Sequence, residues 1–529
     1  MKIGFTTIYS WRPHVTQMYY LAQLARQAGH QAVFLACDGD LPTCNIRQMR
    51  PRRPSVVECA ACRLGNIRTY DNESVSSIGA LASSGPAAPA EAVDEWVASS
   101  ASSLGRFETD ADYESADFRR FKEALKPAAA RTYAAARAWI GKEKLDGLFF
   151  FNGRMDTTRA VMEAANDAGI PFVSMERTWF GDGVQLFPQE SCTGLANINR
   201  MVAAWSDRPL TCEQAWASAS HIAARFLRHN HKEWRAYNVH AKKTAWPNRG
   251  AARRILLLPS SRYEFWGHAD WRTGWRQITD AYDALIEHFG FQSRDLILRC
   301  HPNWGEPIGR LTGVLSENHY AGWAEKRGIL CIPSTDSTST MGLIEEAEAI
   351  VVAGGSAALE AGALGKQVIA LSPSWYQKAG FQTTIYGTQD LDGQPLHADK
   401  PASERAALAR HIQRQTLRYG YTVGYRVMQF VRFIRCLTTT NYGFFEGADP
   451  DRLVRMLQTG ALEADDPAFA ANDDEENQIL ELVNARAWEK LAVPVQNREL
   501  TRIPIHRRHL YQLVDWARAK IRRGDLSRW

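Results

Sequence analysis

A glycine-rich turn after an apolar run is the part of this sequence best suited to hold a phosphate. Residues 349–371 read AIVVAGGSAALEAGALGKQVIAL, so Gly355 and Ser356 stand between an apolar strand and a helix. Glycine lets the backbone approach an anion, and the free amides of a helix N-terminus attract it. Glu360 lies one turn into that helix, where a carboxylate accepts hydrogen bonds from ribose hydroxyls. The spacing predicts a nucleotide diphosphate site. The alternative is an ordinary strand–turn–helix that binds no ligand.

Two other turns follow apolar runs in the same half of the chain. His301 precedes Pro302 directly after one strand, and its imidazole could donate to a phosphate oxygen. Ser260 and Ser261 follow another strand, and their hydroxyls and amides could hold a phosphate. The alternatives are a turn histidine that caps its loop and a solvated serine turn.

Polar residues also follow two strands in the first half of the chain. Asn152 and Arg154 come after LFFF, and Glu176 and Arg177 come after the next strand. Arg154 could bind an anionic group with both arms of its guanidinium, and Glu176 could orient a hydroxyl or act as a base. The alternative is a structural ion pair between Arg154 and Glu176.

His14 lies in the loop after the first strand of the chain. A histidine there could take the proton from an attacking hydroxyl. The alternative is a residue at the start of a helix that contacts solvent.

Short apolar runs alternate with segments whose apolar residues recur at helical spacing, which indicates two successive α/β series. The first series predicts strands at Lys2–Thr7, Gln31–Cys37, Leu145–Phe151, Ile170–Met175 and Met201–Trp205. The second predicts strands at Ile255–Pro259, Asp295–Cys300, Gly328–Ile332, Ala349–Ala353 and Gln367–Leu371. Two doubly wound sheets place the ligand cleft between them, at the carboxyl ends of the strands.

We therefore predict three parts. Residues 1–245 form a first Rossmann-like domain, with a mobile insertion at about 71–103 that is rich in Ser, Ala and Gly. Residues 251–400 form a second such domain, after a basic linker. Residues 401–529 form a helical extension in which no strand series returns.

The segment after Gly355 resembles the donor-binding segment of GT-B glycosyltransferases, and is most similar to the capsule polysaccharide biosynthesis family. The matching positions are Gly355, Ser356, Glu360, Ala361, Gly365, Lys366, Val368 and Ile369. His301-Pro302 and the Asn152–Arg154 and Glu176–Arg177 pairs resemble elements of the same enzymes.

The resemblance implies a metal-independent transferase that moves a sugar from a nucleotide-sugar donor to a surface polysaccharide or its lipid-linked precursor. It implies donor binding by Ser260, Ser261, His301, Gly355, Ser356 and Glu360, and acceptor binding by Asn152, Arg154 and Arg177. It gives catalytic roles to His14, Glu176 and His301. The alternatives are a CDP-glycerol-type glycerophosphotransferase, a sugar-nucleotide epimerase and a non-catalytic scaffold for glycan assembly.

Composition restricts the partners and the compartment. The formal net charge is +5 over 529 residues, which does not favour nucleic acid as a partner. The N-terminus lacks the pattern of a secretory signal, and no apolar run is long enough to span a membrane. These features predict a cytoplasmic protein, where cysteines stay reduced.

Four of the nine cysteines fall within a short stretch, at Cys37, Cys44, Cys59 and Cys62. Four thiolates would close a tetrahedral structural zinc site, although their spacing is not that of a standard zinc finger. The alternative is a group of buried thiols. No cofactor is expected for catalysis.

The tail from Arg498 to Trp529 combines basic residues with apolar residues at helical spacing. Such a helix could lie on an anionic membrane and hold the enzyme at its periphery. The alternative is that the apolar stripe docks on the protein itself or on a partner subunit.

Overall fold

The computed structural model describes residues 1–50, 54–70, 73–233, 240–247, 250–492 and 500–505, together with Leu510 and Leu513. The first half of the chain alternates strands and helices. In chain order these are β1 (Lys2–Ile8), α1 (His14–Gln27), β2 (Gln31–Ala36), α2 (Asn45–Met49), α3 (Ser55–Thr69), β3 (Val75–Ser77), α4 (Ile78–Leu81), α5 (Ala90–Trp96), α6 (Ala98–Gly105), α7 (Asp110–Tyr113), α8 (Ala116–Glu143), β4 (Gly147–Phe151), α9 (Asp156–Ala168), β5 (Phe172–Glu176), β6 (Val184–Pro188), α10 (Ala196–Trp205) and α11 (Cys212–Phe226).

The second half repeats the alternation and then changes character. Its elements are β7 (Ile255–Leu258), α12 (Ile278–Phe289), β8 (Leu296–Arg299), α13 (Val314–Lys326), β9 (Leu330–Ile332), α14 (Thr340–Glu346), β10 (Ala349–Val352), α15 (Ala357–Ala363), β11 (Gln367–Ala370), β12 (Gln382–Thr384), α16 (Ala402–Tyr421), β13 (Met428–Gln429), β14 (Ile434–Thr438), β15 (Asn441–Phe445), α17 (Pro450–Thr459), α18 (Asp474–Asn484), α19 (Trp488–Leu491) and β16 (Arg502–Ile503).

The two main sheets have the same strand order. The first runs β3-β2-β1-β4-β5-β6, with β6 antiparallel to β5 and the other pairs parallel. The second runs β9-β8-β7-β10-β11-β12, and all of its pairs are parallel. This is the doubly wound order, in which ligands bind where the order reverses. The prediction of two Rossmann-like domains in a GT-B arrangement is confirmed.

The strands form where the sequence has short, continuous apolar runs. The β4 run GLFFF and the β7 run ILLL are buried at every position, as expected for parallel strands covered on both faces. One predicted strand, Met201–Trp205, is wrong, because these residues end α10. Ile198, Met201, Val202 and Trp205 are its buried apolar residues, and their spacing is helical.

Within the segment expected to be a mobile insertion, at about 71–103, the part from Val93 to Ser103 is packed into the molecule. Val97, Ser100 and Ser102 are fully buried, and the Ser100 hydroxyl contacts the Asp156 carboxylate at 3.2 Å. A composition rich in serine and alanine resembles a flexible linker. Here the small side chains let α6 pack closely against its neighbours, and the hydroxyls find hydrogen-bond partners.

The sequence predicted a helical C-terminal extension, but the structure also has strands in this part of the chain. After α16 the chain passes through a π-helical turn at Thr422–Val427, and β13 then pairs with β6 of the first sheet. The strands β14, β15 and β16 form a small antiparallel sheet of their own. Helices α10 and α11, within the predicted first domain, share a hydrophobic core with β7 and β10 of the second sheet.

Most of the basic tail lies outside the described residues, so its predicted helix and membrane role stay predictions. Within the described part of the chain, no helix is long and apolar enough to cross a membrane.

Candidate active site

The main cleft lies where the carboxyl ends of the two sheets face each other. It has a volume of about 730 Å³. Residues that follow β1, β4 and β5 line one wall, and residues that follow β7, β8 and β10 line the other. Of the predicted site residues, the lining includes His14, Asn152, Arg154, Glu176, Arg177, Ser260, Ser261, His301 and Ser356.

A hydrogen-bonded chain of three polar side chains occupies the first wall. His14 is the first residue of α1, and its Nε2 lies 2.9 Å from Glu176 Oε1. Asn152 donates from Nδ2 to Glu176 Oε2 at 2.8 Å. The His14 ring packs on Phe151 at 4.2 Å between centroids, which fixes its plane. The structure thus joins two residues that the sequence assigned separate roles.

The carboxylate of Glu176 is held in its ionised form. Burial opposes ionisation, but the charge and hydrogen bond of His14, with bonds from the Arg177 amide and Asn152, lower the pKa of Glu176. Its side chain is 24% exposed and that of His14 is 5% exposed. Glu176 is therefore the member of the pair that a ligand in the cleft reaches first.

The predicted alternative of an Arg154–Glu176 ion pair is wrong. Within the described residues, Arg154 Nη1 donates to three neutral oxygens: Ser99 Oγ at 2.9 Å, Ser103 Oγ at 3.1 Å and the Glu264 carbonyl at 3.0 Å. No carboxylate among these residues neutralises it. Its charge stays available to an anion in the cleft.

On the second wall, the turn after β10 brings the backbone close to the cleft. Gly354 has a φ of +85°, in the left-handed region that glycine tolerates. Nothing lies within 4 Å of the position that a Cβ would take at Gly355, so this backbone faces open space. Gly354 and Ser356 line the cleft. The turn has the shape that the sequence predicted for phosphate approach.

His301 is fixed in one tautomer by its own loop. The amide of Asn303 donates to His301 Nδ1 at 3.2 Å, so Nδ1 acts as an acceptor. In a neutral imidazole the other nitrogen then carries the proton. A neutral His301 therefore carries its proton on Nε2, and its contact with a phosphate stays a prediction.

Two predicted donor residues are engaged within the protein. Ser261 Oγ accepts from Trp304 Nε1 at 3.0 Å, and the residue is 2% exposed. Glu360 is 1% exposed, and its Oε1 accepts from Arg225 Nη1 at 2.6 Å. Glu360 therefore stands behind Arg225, which lines the cleft, and its contact with ribose stays a prediction.

Sequence reasoning missed the residues that hold the second wall in place. These belong to an arm, defined as residues 98–113, which reaches from the first half of the chain onto the second domain. Arg106 is fully buried and donates to Asn303 O at 2.9 Å and to Tyr263 Oη at 2.6 Å; it also bonds Asn303 Oδ1 and the Glu306 carbonyl. No motif marked it, because it lies just beyond the segment predicted to be mobile.

The same arm makes further contacts with the loop after β7. Tyr113 stacks on Trp266 with ring centroids 4.2 Å apart. Asp110 accepts from Arg262 at 2.7 Å and from Arg276 at 3.0 Å. Helix α6 and its continuation thus brace the loops that carry Ser261 and His301.

The four clustered cysteines are free thiols of intermediate exposure. Among the described residues, which include all four, no group of three or more His, Cys, Asp or Glu side chains is arranged to hold a metal. Burial raises the pKa of Cys44 to about 12 and also raises the pKa of Cys37 and Cys62. The structural zinc site stays a prediction.

No family model and no curated protein sequence matches the chain. Solved structures with a related arrangement include KpsC of Thermosulfurimonas dismutans, a beta Kdo 2,4 transferase, at 13% identity and a TM-score of 0.33, covering 64% of this chain and 87% of that one. A UDP-GlcNAc 2-epimerase from Neisseria meningitidis, bound to UDP-GlcNAc, matches at 11% identity and a TM-score of 0.28, covering 80% and 97%.

A third structure is SsfS6, a glycosyltransferase of Streptomyces sp. SF2575, at 10% identity and a TM-score of 0.21, covering 79% of this chain and 95% of that one. The likenesses are weak in sequence identity and in TM-score. Neither the fold assignment, which follows from the strand order, nor the functional proposal below rests on them.

Proposed function

We propose that this protein is a glycosyltransferase that moves a sugar from a nucleotide-sugar donor to a hydroxyl of a surface polysaccharide or its lipid-linked precursor. The observation that carries the proposal is the pairing of two unlike walls across one cleft. One wall holds the His14–Glu176 pair. The other holds His301, set to donate, beside the glycine turn after β10. Sugar transfer needs a proton acceptor on one side and anion binding on the other.

The first wall would activate the acceptor. A hydroxyl in the cleft meets Glu176 first, and His14 Nε2 lies 2.9 Å behind it. Because the two groups interact strongly, the proton that leaves the hydroxyl belongs to the pair rather than to either residue. Asn152 and the Arg177 amide fix the carboxylate while this happens.

The second wall would stabilise the leaving nucleotide. His301 Nε2–H and the amides of the Gly354–Ser356 turn are donors at the edge of the cleft. Arg154, bonded to neutral oxygens, adds positive charge from the opposite wall. We expect these groups to stabilise the phosphate charge without a bound metal ion. Donors fixed before the reaction stabilise developing charge without reorganising.

Thermal shift against a panel of nucleotide sugars tests the first half of the proposal, because a ligand of the folded state raises its stability. We expect stabilisation by one nucleotide class, and loss of it in His301→Ala. Nucleotide release with a lipid-linked or polysaccharide acceptor tests the second half. No stabilisation by any donor would contradict the proposal. Conversion of the sugar nucleotide without an acceptor would show an epimerase instead.

A further inference from the structure

The helix α3 carries its apolar side chains on the outside of the protein. Val56 is 79% exposed, Leu64 is 66% exposed and Ile67 is 58% exposed. With the exposed Ala60 between them, these residues recur every three or four positions. At about 3.6 residues per turn they form one stripe along the helix, and Val57 lies beside it.

The opposite face of α3 is polar and faces the protein. Glu58, Asn66 and Thr69 are its buried residues. Cys62, on the same face, accepts a hydrogen bond at Sγ from the Ser10 amide at 3.2 Å, and Glu58 pairs with Arg50 at 3.4 Å. A surface helix normally buries its apolar side and exposes its polar side. In α3 this arrangement is reversed.

An apolar stripe of this kind marks an interaction site. Within the described chain, four of the twelve exposed large hydrophobic side chains lie on α3, so they are clustered rather than scattered. Exposed side chains that occur singly need no partner, but a contiguous stripe does.

Charge shows which partner suits the stripe. Residues 44–70 contain six arginines and one glutamate, so this segment carries +5, as much as the formal net charge of the whole chain. Arg63 is exposed on one side of the stripe, and the partly buried Arg68 lies on the other side. Apolar residues flanked by arginines match the acyl boundary and the anionic headgroups of a lipid bilayer.

We propose that α3 is a membrane-docking helix that lies in the plane of an anionic lipid bilayer, with Val56, Ala60, Leu64 and Ile67 in its interface. A second copy of the chain fits the surface less well, because it would bring two segments of +5 together. This surface is separate from the basic tail.

Docking through α3 would bring the bilayer close to the cleft. Asn45, Ile46 and Met49 of α2 line the cleft, and α3 follows α2 in the chain. Cys62 of α3 also bonds the amide of Ser10, which precedes the cleft-lining Trp11, so a bilayer on α3 lies beside the first wall. There, a lipid-linked acceptor would enter without leaving the membrane. This consequence rests on the proposed function, whereas the docking itself does not.

Flotation of the full chain with vesicles tests the proposal. We expect the protein to float with phosphatidylglycerol mixed into phosphatidylcholine, and less with phosphatidylcholine alone. The double variant Leu64→Ser/Ile67→Ser should bind at least about tenfold more weakly, because two aliphatic side chains no longer enter the interface. Arg63→Ser should weaken binding to the anionic vesicles about fivefold and leave binding to phosphatidylcholine unchanged.

Two further pairs are compared: the first measures any separate contribution of the tail, and the second is the matched control. Leu510→Ser/Leu513→Ser removes side chains of the tail that are 66% and 63% exposed. Leu330→Ser/Leu437→Ser removes exposed leucines elsewhere. Flotation needs no turnover, so the result stands even if the proposed transfer fails. Equal flotation of Leu64→Ser/Ile67→Ser and the wild type, with matching thermal stability, would overturn the proposal. So would a wild-type dimer in lipid-free buffer that this variant turns into a monomer.

Discussion

The two walls of the cleft are built differently although they follow sheets of the same strand order. On the first wall, polar side chains from three strand ends bond each other, as His14, Glu176 and Asn152 do. On the second wall, side chains bond inward, as Ser261 does to Trp304 and Glu360 to Arg225. The groups of the second wall that line the cleft include the glycine turn at Gly354 and the imidazole of His301.

The difference fits the separate roles that we propose for the two walls. A network of titratable side chains moves protons, whereas backbone amides and a fixed imidazole hold charge in place. The support differs too. The His14–Glu176–Asn152 chain is bonded within the first wall, whereas the loops of the second wall are held by the arm at residues 98–113, which also accepts hydrogen bonds from Arg154. Each prediction below alters one of these features.

The largest effect is expected when the acid–base pair is broken. Glu176→Gln keeps the shape of the side chain but removes the charge that pairs with His14. We expect turnover to fall about 100-fold or more, with donor binding nearly unchanged, because general base catalysis typically contributes that much. Steady-state kinetics with a separate measurement of donor affinity checks this.

The pair also predicts a pattern of non-additivity. His14→Gln should cost about as much turnover as Glu176→Gln, and the double variant should cost little more, since residues that act as a unit do not add. Glu143→Gln, which breaks the ion pair with Lys2 at the first strand, is the control. Additive losses in the double variant would mean that the two residues act separately.

The sequence predicted the elements better than it predicted their contacts. The apolar runs located most of the described strands of both main sheets within a few residues, because parallel strands are continuous buried segments. Short edge strands such as β3 and β12 were missed, since three partly exposed residues carry no such pattern. The return of β13 to the first sheet depends on tertiary packing that no local pattern records.

For the site, the positions after the strands were predicted and their pairings were not. Asn152, Glu176 and His301 line the cleft because strand ends in a parallel sheet share one edge. Whether Glu176 bonds Arg154 or His14 depends on side-chain directions that spacing leaves open. Arg106 could not be predicted from local spacing, because its partners lie between 157 and 200 residues away in the chain.

The second prediction concerns the arm that braces the second wall, and it uses pH. Burial raises the pKa of Glu108 to about 7, although hydrogen bonds from Ser316 and Tyr320 and the charge of Arg262 oppose the shift. The folded state therefore prefers the protonated acid. This stability is full below the ordinary pKa of 4.5 and is lost as the pH rises through 7. The shift corresponds to roughly 3 kcal/mol.

Glu108→Gln stays uncharged at every pH and removes this dependence. Relative to the wild type, the free energy of unfolding of the variant should therefore rise by roughly 3 kcal/mol between pH 4.5 and pH 8. Urea denaturation at both pH values measures it. Glu114→Gln, at an exposed residue directly after the arm, is the control. A difference that does not change with pH would show that Glu108 is not protonated in the folded arm.

The third prediction removes the one imidazole of the second wall. His301→Ala should lower turnover at least about tenfold and weaken binding of the nucleotide, because a fixed donor to the phosphate is lost. Glu176→Gln should leave nucleotide binding intact, so the two variants separate the walls. Full turnover in His301→Ala, measured on folded protein, would leave His301 as a residue that only caps its loop.

The last and smallest effect tests whether the arm positions His301. The Arg106 guanidinium donates to the backbone carbonyl and to the side-chain oxygen of Asn303. The Asn303 amide in turn donates to His301 Nδ1. Arg106→Lys keeps the buried charge, but a single amine cannot reproduce the planar fork that reaches Asn303, Tyr263 and Glu306 together. We expect turnover to fall about threefold, with the acceptor KM unchanged.

If Arg106 only stabilises the fold, Arg106→Lys lowers the stability and leaves the tautomer of His301 unchanged. The deciding measurement is therefore the position of the proton on the His301 ring. Nitrogen NMR of labelled histidine, assigned with His301→Ala, reports which ring nitrogen carries the proton. In the wild type we expect the proton on Nε2, and in Arg106→Lys a mixture of both tautomers. Arg119→Lys, on an exposed arginine of α8, is the matched control. An unchanged ring in Arg106→Lys would show that the second wall, like the first, orders its own catalytic side chain. The contrast between the walls would then lie in their chemistry alone.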